Sequence, residues 1–232
     1  MRLDKYISQI TDYSRKEVKR LLKLGAITID GETTKDPALH INEEQVVALD
    51  GEPLGKPGPR YFMMNKPLGY VSVTKDSMHP TVLELMDEAN AERLQIAGRL
   101  DVDTTGLLLI TDDGQWNHAV TAPNRECDKV YHVTLADDIA PDTGEHFATG
   151  LMLDGEVRAT LPAQLEVLYS NEATLTIKEG RYHQVKRMFA AVGNRVTELH
   201  RTQVGEIKLD ETLEPGEYRP LTSAEIKSVK KS

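Results

Sequence analysis

The sequence predicts an α+β protein: a small N-terminal α/β module, then a larger domain on a mainly antiparallel mixed sheet. Three observations predict it. Apolar segments of the larger part come in neighbouring pairs, without the strand–helix alternation of a parallel sheet. The first fifty or so residues carry their own pattern of two helices and a hairpin. Between the two parts, Asp50 to Arg60 reads DGEPLGKPGPR, rich in glycine and proline, which neither a helix nor a central strand tolerates. The predicted boundaries are therefore 1–50 for the module, 51–60 for a linker and 61–232 for the larger domain.

In the module, Leu3, Tyr6, Ile7 and Ile10 share one face of a short helix. Ser14 and Glu17 form an S-x-x-E capping box that opens a second helix. There Val18, Leu21 and Leu22 point one way, and Arg15, Lys16, Lys19, Arg20 and Lys23 cover the rest. Gly25 is placed to end it. Ile27 and Ile29 alternate with polar residues before the hairpin dipeptide Asp30-Gly31. Val46 to Leu49 is a further strand, closed by Asp50-Gly51.

In the larger domain the predicted strands are Arg60 to Met64, Gly69 to Val73, Leu107 to Thr111, Val130 to Leu135, Ala163 to Leu168, Ala173 to Ile177 and Val196 to His200. The predicted helices are Pro80 to Leu85, Trp116 to Thr121, Asp142 to Ala148 and His183 to Val192. In the last of these, Val185, Met188, Phe189 and Val192 form the buried stripe, and Lys186 and Arg187 project away from it.

Charge narrows the function classes. The chain has 28 Lys and Arg against 37 Asp and Glu, a net of −9, which argues against coating nucleic acid or membrane by bulk charge. The charge is unevenly placed. Met1 to Gly25 has seven basic and three acidic residues, a net of +4; Asp137 to Glu172 has eight acidic residues and one basic, a net of −7. Ala173 to Gly205 has six basic and two acidic residues, again +4. Such runs are commonly solvated faces; the two basic stretches are also candidate contact zones for an anionic partner. A single cysteine, Cys127, excludes an internal disulfide. The seven histidines show no metal-ligand spacing. No nucleotide-binding motif is present, no apolar run approaches the ~20 residues that span a bilayer, and no signal peptide opens the chain. The expectation is a cytoplasmic protein without cofactor, metal or membrane association, and a monomer.

Two stretches carry the first resemblance. RLDKYIS (Arg2 to Ser8) and SRKEVKRLLKLGAITIDG (Ser14 to Gly31) are similar to an S4 RNA-binding domain. A basic helix beside a hairpin gives structured RNA a rigid cationic face. Arg2, Lys5, Ser14, Arg15, Lys16, Lys19 and Arg20 are the implied RNA-binding residues.

The decamer GRLDVDTTGL (Gly98 to Leu107) places a carboxylate in a glycine-bounded loop with nearby hydroxyls. A loop aspartate usually bonds its own backbone. The decamer, however, resembles the signature of the RNA pseudouridine synthases, within the branch of the ribosomal small-subunit pseudouridine synthase A family. The resemblance implies that Asp101 is catalytic and that Arg99 and Thr104 support it. EGRYHQVKRM (Glu179 to Met188) resembles the family segment that supplies the ion-pair partner of that aspartate. The matching position is Lys186, where many relatives carry arginine, a bidentate fork instead of a point donor. Arg181 is the alternative partner, and Arg187 is assigned to RNA phosphate. NKPLGYVS (Asn65 to Ser72) resembles the family's first motif, so Asn65 and Lys66 are expected to support the active-site loop. DKVYHVTL (Asp128 to Leu135) resembles the strand carrying the active-site aromatic, here Tyr131.

The implied activity is isomerisation of one uridine of 16S rRNA to pseudouridine, with the RNA met as a protein-bound assembly intermediate. Asp101 attacks C1′, attacks C6, or abstracts a proton; the residues leave all three open. Two alternatives remain at this stage. One is the same chemistry on large-subunit 23S rRNA, and the other is a non-catalytic S4-type RNA-binding or ribosome-assembly protein.

Overall fold

The computed structural model describes residues 1–42, 44–56, 58–122 and 127–230. Pro57 of the predicted linker and Glu126 beside Cys127 lie outside them. The chain divides into two units: Met1–Pro59 with Asp87–Arg93, and Arg60–Met86 with the chain from Leu94 onward.

The first unit packs α1 (Leu3–Ile10) and α2 (Arg15–Leu24) on a four-stranded sheet. Leu3, Tyr6 and Ile7 meet Val18, Leu22, Ile27, Ile29, Ile41 and Val47 in one apolar core. The predicted capping box is formed: Ser14 Oγ accepts from Glu17 N, and Glu17 Oε2 accepts from Ser14 N at 2.8 Å. Gly25 ends α2 at φ 76°, its N–H donating to Leu21 and Leu22 carbonyls. β1 (Ile27–Ile29) turns through Asp30-Gly31 into β2 (Glu32–Thr33), and both turn residues have positive φ, as a tight hairpin requires. β3 (Val47–Leu49) turns likewise through Asp50-Gly51 into β4 (Glu52–Pro53). The sheet order is β2-β1-β3-β4. Thus Glu52–Pro53, read from composition as linker, is a strand. Its place at the sheet edge explains the proline, which has no N–H to give a second neighbour. From the second stretch of this unit, Asn90 Nδ2 donates to the Thr11 carbonyl at 2.7 Å.

The second unit is a nine-stranded sheet. Its strands are β5 (Tyr61–Lys66), β6 (Gln95–Ala97), β7 (Thr105–Thr111), β8 (Lys129–Leu135), β9 (Gln164–Tyr169), β10 (Glu172–Ile177), β11 (Val196–Val204), β12 (Ile207–Lys208) and β13 (Tyr218–Pro220). The main path runs β13-β5-β7-β11-β8-β10-β9, with β6 on β7 and β12 on β11. Every pairing among these strands is antiparallel except β7 with β11. The mainly antiparallel α+β architecture is therefore as the sequence predicts. α3 (Gly114–Thr121) and α6 (Ser223–Lys230) accompany a core of Tyr61, Met63, Leu107, Leu109, Trp116, Val120, Val204 and Ile207. α4 (Thr143–Thr149) and α5 (Gln184–Ala191) meet through Phe147 and Phe189, ring centroids 5.0 Å apart. Among the described residues no helix is long and apolar enough to cross a membrane.

Three local expectations change. Gly69 to Val73 is not a strand: only Val71 makes a bridge, to Thr81, and Ser72 is used to hold the loop at Leu100. Pro80 to Leu85 yields only a 3-10 turn, Val82–Leu85. β11 continues past His200 to Val204, because the polar residues that seemed to end it include a buried arginine, Arg201.

Candidate active site

The catalytic candidate lies in the loop between β6 and β7. Gly98 turns the chain at φ 84°, and Thr104 N donates to the Asp101 carbonyl at 3.1 Å, closing a tight turn. Three side chains anchor this loop. Ser72 Oγ donates to the Leu100 carbonyl at 2.8 Å and accepts from Leu100 N. Lys66, fully buried at the end of β5, donates to the carbonyls of Thr104 at 2.7 Å and Pro67 at 3.0 Å. Arg201, buried in β11, donates from Nε to the Leu107 carbonyl at 2.8 Å and from Nη2 to the Gly98 carbonyl at 2.7 Å. Gly106 permits the close approach of β7 to β11: a Cβ there would stand 2.3 Å from the Arg201 carbonyl oxygen. Arg201 therefore clamps both flanks of the loop.

α5 brings the cation. His183 precedes the helix with φ 48°, a left-handed conformation uncommon outside glycine that histidine adopts more readily than most residues. From this start, Lys186 reaches the loop. Its Nζ donates to Asp101 Oδ2 at 3.1 Å and to Asp103 Oδ1 at 2.5 Å. His183 Nε2 stands 3.5 Å from Asp101 Oδ1, and its ring stacks on Tyr182 with centroids 3.8 Å apart. Asp101, Tyr131, Lys186 and His183 line one cavity of about 910 Å³, which Arg99, Thr104, Lys129, Arg181 and Arg201 also border.

Burial and charge compete in this cavity. Burial lowers the Lys186 pKa, but the hydrogen bonds and charges of Asp103 and Asp101 more than offset it and hold the ammonium protonated. Burial raises the Asp103 pKa, and Lys186 reverses that into a net lowering. At Lys66 burial outweighs the charges of Asp103 and Asp101 and takes the ammonium's pKa down to about 8.

The other predicted residues are placed as follows. Arg181 lines the cavity but does not pair with Asp101. Its Nε binds Glu179 at 2.9 Å, and its two terminal nitrogens bind the carbonyls of Arg158 and Ala159. Arg187 is likewise held within the fold, by Glu156 Oε1 at 2.9 Å and the carbonyls of Asp154 and Tyr182. These partners within the fold occupy the guanidinium that the sequence assigns to RNA phosphate. Asn65 binds the Leu213 carbonyl and supports β5 from outside the cavity. Arg99 is exposed at the cavity, and Thr104 Oγ1 is buried without a hydrogen-bond partner among the described residues. In the first unit, Lys5, Arg15, Lys16, Lys19 and Arg20 are exposed, whereas Arg2 is engaged by Asp4 through two contacts at 2.8 and 3.0 Å. Ser14 is committed to its cap.

Sequence reading passed over Arg201, His183, Ser72 and Lys129. For Arg201 a signal existed: it shares the inward register with Leu199, a place where a charge needs buried partners.

Residues 60–191 match the family model described as RNA pseudouridylate synthase, and residues 1–47 match the S4 domain. The chain belongs to the RNA pseudouridylate synthase family. Within this family, the chain is 57% identical over 230 residues to ribosomal small subunit pseudouridine synthase A of Yersinia pestis, covering 99% of this chain and 98% of the relative. It is 55% identical to the protein of the same name from Escherichia coli, covering 99% of this chain and all of the relative. A crystal structure described as a pseudouridylate synthase superposes with a TM-score of 0.72 at 46% identity, covering 99% of both chains. This synthase family resemblance is thus full-length, spanning both units.

Proposed function

We propose that this pseudouridine synthase converts one uridine of 16S rRNA to pseudouridine, with Asp101 as the catalytic carboxylate. The observation that carries the reading is the Lys186–Asp101 ion pair in a cavity that also holds Tyr131. Full-length identity to proteins named ribosomal small subunit pseudouridine synthase A supports the substrate.

The reaction breaks the C1′–N1 bond and joins C1′ to C5 of the same base. Substrate and product are isomers, so the chemistry needs neither oxidant nor energy source. The uridine first leaves its stack, at a cost of about 2–5 kcal/mol. Lys186 holds Asp101 by its hydrogen bond at the cavity, so the carboxylate is placed to react at the sugar or the base. Tyr131, nearly buried in β8, holds the flipped ring by its face. The exposed cations of α2 anchor neighbouring RNA. The reading extends to a cytoplasmic monomer acting on a protein-bound assembly intermediate, with the first unit as the RNA-binding domain and the second as the catalytic domain.

The test is pseudouridine mapping in rRNA from cells with and without the gene, complemented by wild type or Asp101→Asn. One 16S mark should vanish on deletion and return only with the wild-type chain. The Asp101→Asn protein should still bind the RNA. A mark lost from 23S rRNA overturns the substrate, and full activity of Asp101→Asn overturns the catalytic assignment.

A further inference from the structure

Most cations bordering the cavity are satisfied within the fold. Lys186 has two carboxylates, Arg201 two carbonyls, and Arg181 a carboxylate and two carbonyls. Arg99 is exposed to water. Lys129 differs from all of them. It opens β8, two residues before Tyr131, so both side chains leave the same face of the strand and both line the cavity. It is half-buried, and its ammonium donates to a single acceptor, the Cys127 carbonyl at 2.8 Å. An ammonium carries three donors. Among the described residues no carboxylate lies within ion-pair distance of it. Burial lowers its pKa, and the neighbouring Arg201 charge adds to that effect. A desolvated cation with unused donors is expensive unless something anionic arrives to meet it.

The proposed reaction makes such an anion. Whichever atom Asp101 acts on, the ring leaves C1′ with the electron pair of the C1′–N1 bond. That charge spreads over N1 and the ring's carbonyl oxygens. It is taken up again when C5 bonds to C1′; one proton then leaves C5 and one arrives at N1, giving an isomer. We propose that Lys129 is a catalytic residue, donating hydrogen bonds to a uracil carbonyl oxygen and offsetting the charge of the departing ring beside Tyr131. This rests on the pseudouridine synthase reading and adds a residue to it. The ammonium keeps its proton throughout and acts as a fixed electrostatic partner, strongest when the ring is anionic.

The experiment compares wild type, Lys129→Met and Lys129→Gln on two small-subunit rRNA transcripts, carrying uridine or 5-fluorouridine, with small-subunit proteins bound where wild type needs them. Fluorine withdraws electrons and makes the ring a better leaving group, so it needs less help. Single-turnover cleavage of the C1′–N1 bond is read by mass spectrometry of the digested nucleosides; RNA affinity and thermal midpoint are measured alongside. Lys129→Met should be about 100-fold slower on uridine with unchanged RNA affinity. That deficit should shrink several-fold on 5-fluorouridine. Because each ratio is taken within one variant, a partly unfolded preparation affects both substrates alike; Lys129→Gln supplies the same comparison if Lys129→Met does not fold. Equal deficits on both substrates overturn the proposal, as does a normal rate with weakened RNA binding, which marks a phosphate contact instead. A wild-type chain inactive on both RNAs overturns the synthase reading and this inference with it; an active wild type with an unimpaired Lys129→Met overturns the inference alone.

Discussion

Lys66 carries an amine into a place without water, and its two hydrogen bonds end on backbone carbonyls. Its pKa of about 8 in the fold lies below the ~10.4 of an unfolded chain. Between those values the unfolded chain binds the proton and the folded chain does not. Stability therefore rises with pH across that window, by up to roughly 3 kcal/mol relative to Lys66→Met. Guanidinium unfolding of both proteins at several pH values checks it; parallel stability curves would refute the buried-amine account. The same residue shows what a motif reveals and what it hides. Asn-Lys-Pro marks Lys66 as a support, but its acceptors are main-chain carbonyls, which have no signature in a sequence. The acceptors of Arg201 are main-chain carbonyls too, although its register with Leu199 marks the side chain itself as buried. Choosing between Lys186 and Arg181 was a different problem. Both lie in one motif, and Lys186 meets Asp101 while Arg181 is held by Glu179 and by the carbonyls of Arg158 and Ala159, the last two remote in sequence from the motif.

At the scale of elements, the long apolar strands β5, β7, β8 and β10 were legible because their cores alternate or run continuously apolar. β4, β6, β12, β13 and α6 were not. The strands among them have only two or three residues, too few for a period, and their pairing depends on neighbours far along the chain. The contact that most constrains the site is also between elements, where Gly106 of β7 lies against the backbone of Arg201 in β11. Gly106→Ala meets that backbone at a φ of 99° and should destabilise the second unit by roughly 2–4 kcal/mol. Denaturant melts should show the loss, with activity falling in the folded fraction because the clamp on the loop is displaced. A fully stable, fully active Gly106→Ala protein would show that the two strands separate without consequence.

At the scale of the molecule, the net charge of −9 conceals a division of labour. The two basic islands look alike in sequence, each +4. In the fold they differ. Arg181, Arg187, Lys186 and Arg201 of the second island are engaged in carbonyls and carboxylates, and most of their charge serves the architecture. The first island stays on the exposed side of α2. Salt sensitivity of RNA binding should therefore belong mainly to α2. Replacing Arg15, Lys16 and Arg20 by Gln should lower the slope of log affinity against log salt by roughly two to three. Binding titrations across a salt series measure it, and an unchanged slope would move the phosphate contacts elsewhere.

The clamp on the catalytic loop also has a place in time. Arg201 lies 94 residues beyond Leu107 and 103 beyond Gly98, the two carbonyls it joins. A chain emerging from the ribosome thus exposes Asp101 long before the arginine that clamps its loop. Each nascent molecule passes through a stage with its S4 sequence complete and its catalytic loop still without that clamp. Such a chain has its means of gripping RNA before it has its means of altering it. Truncated products of interrupted synthesis, ending before β11, would be RNA-binding and inert, and the late arrival of one arginine separates them from the working enzyme.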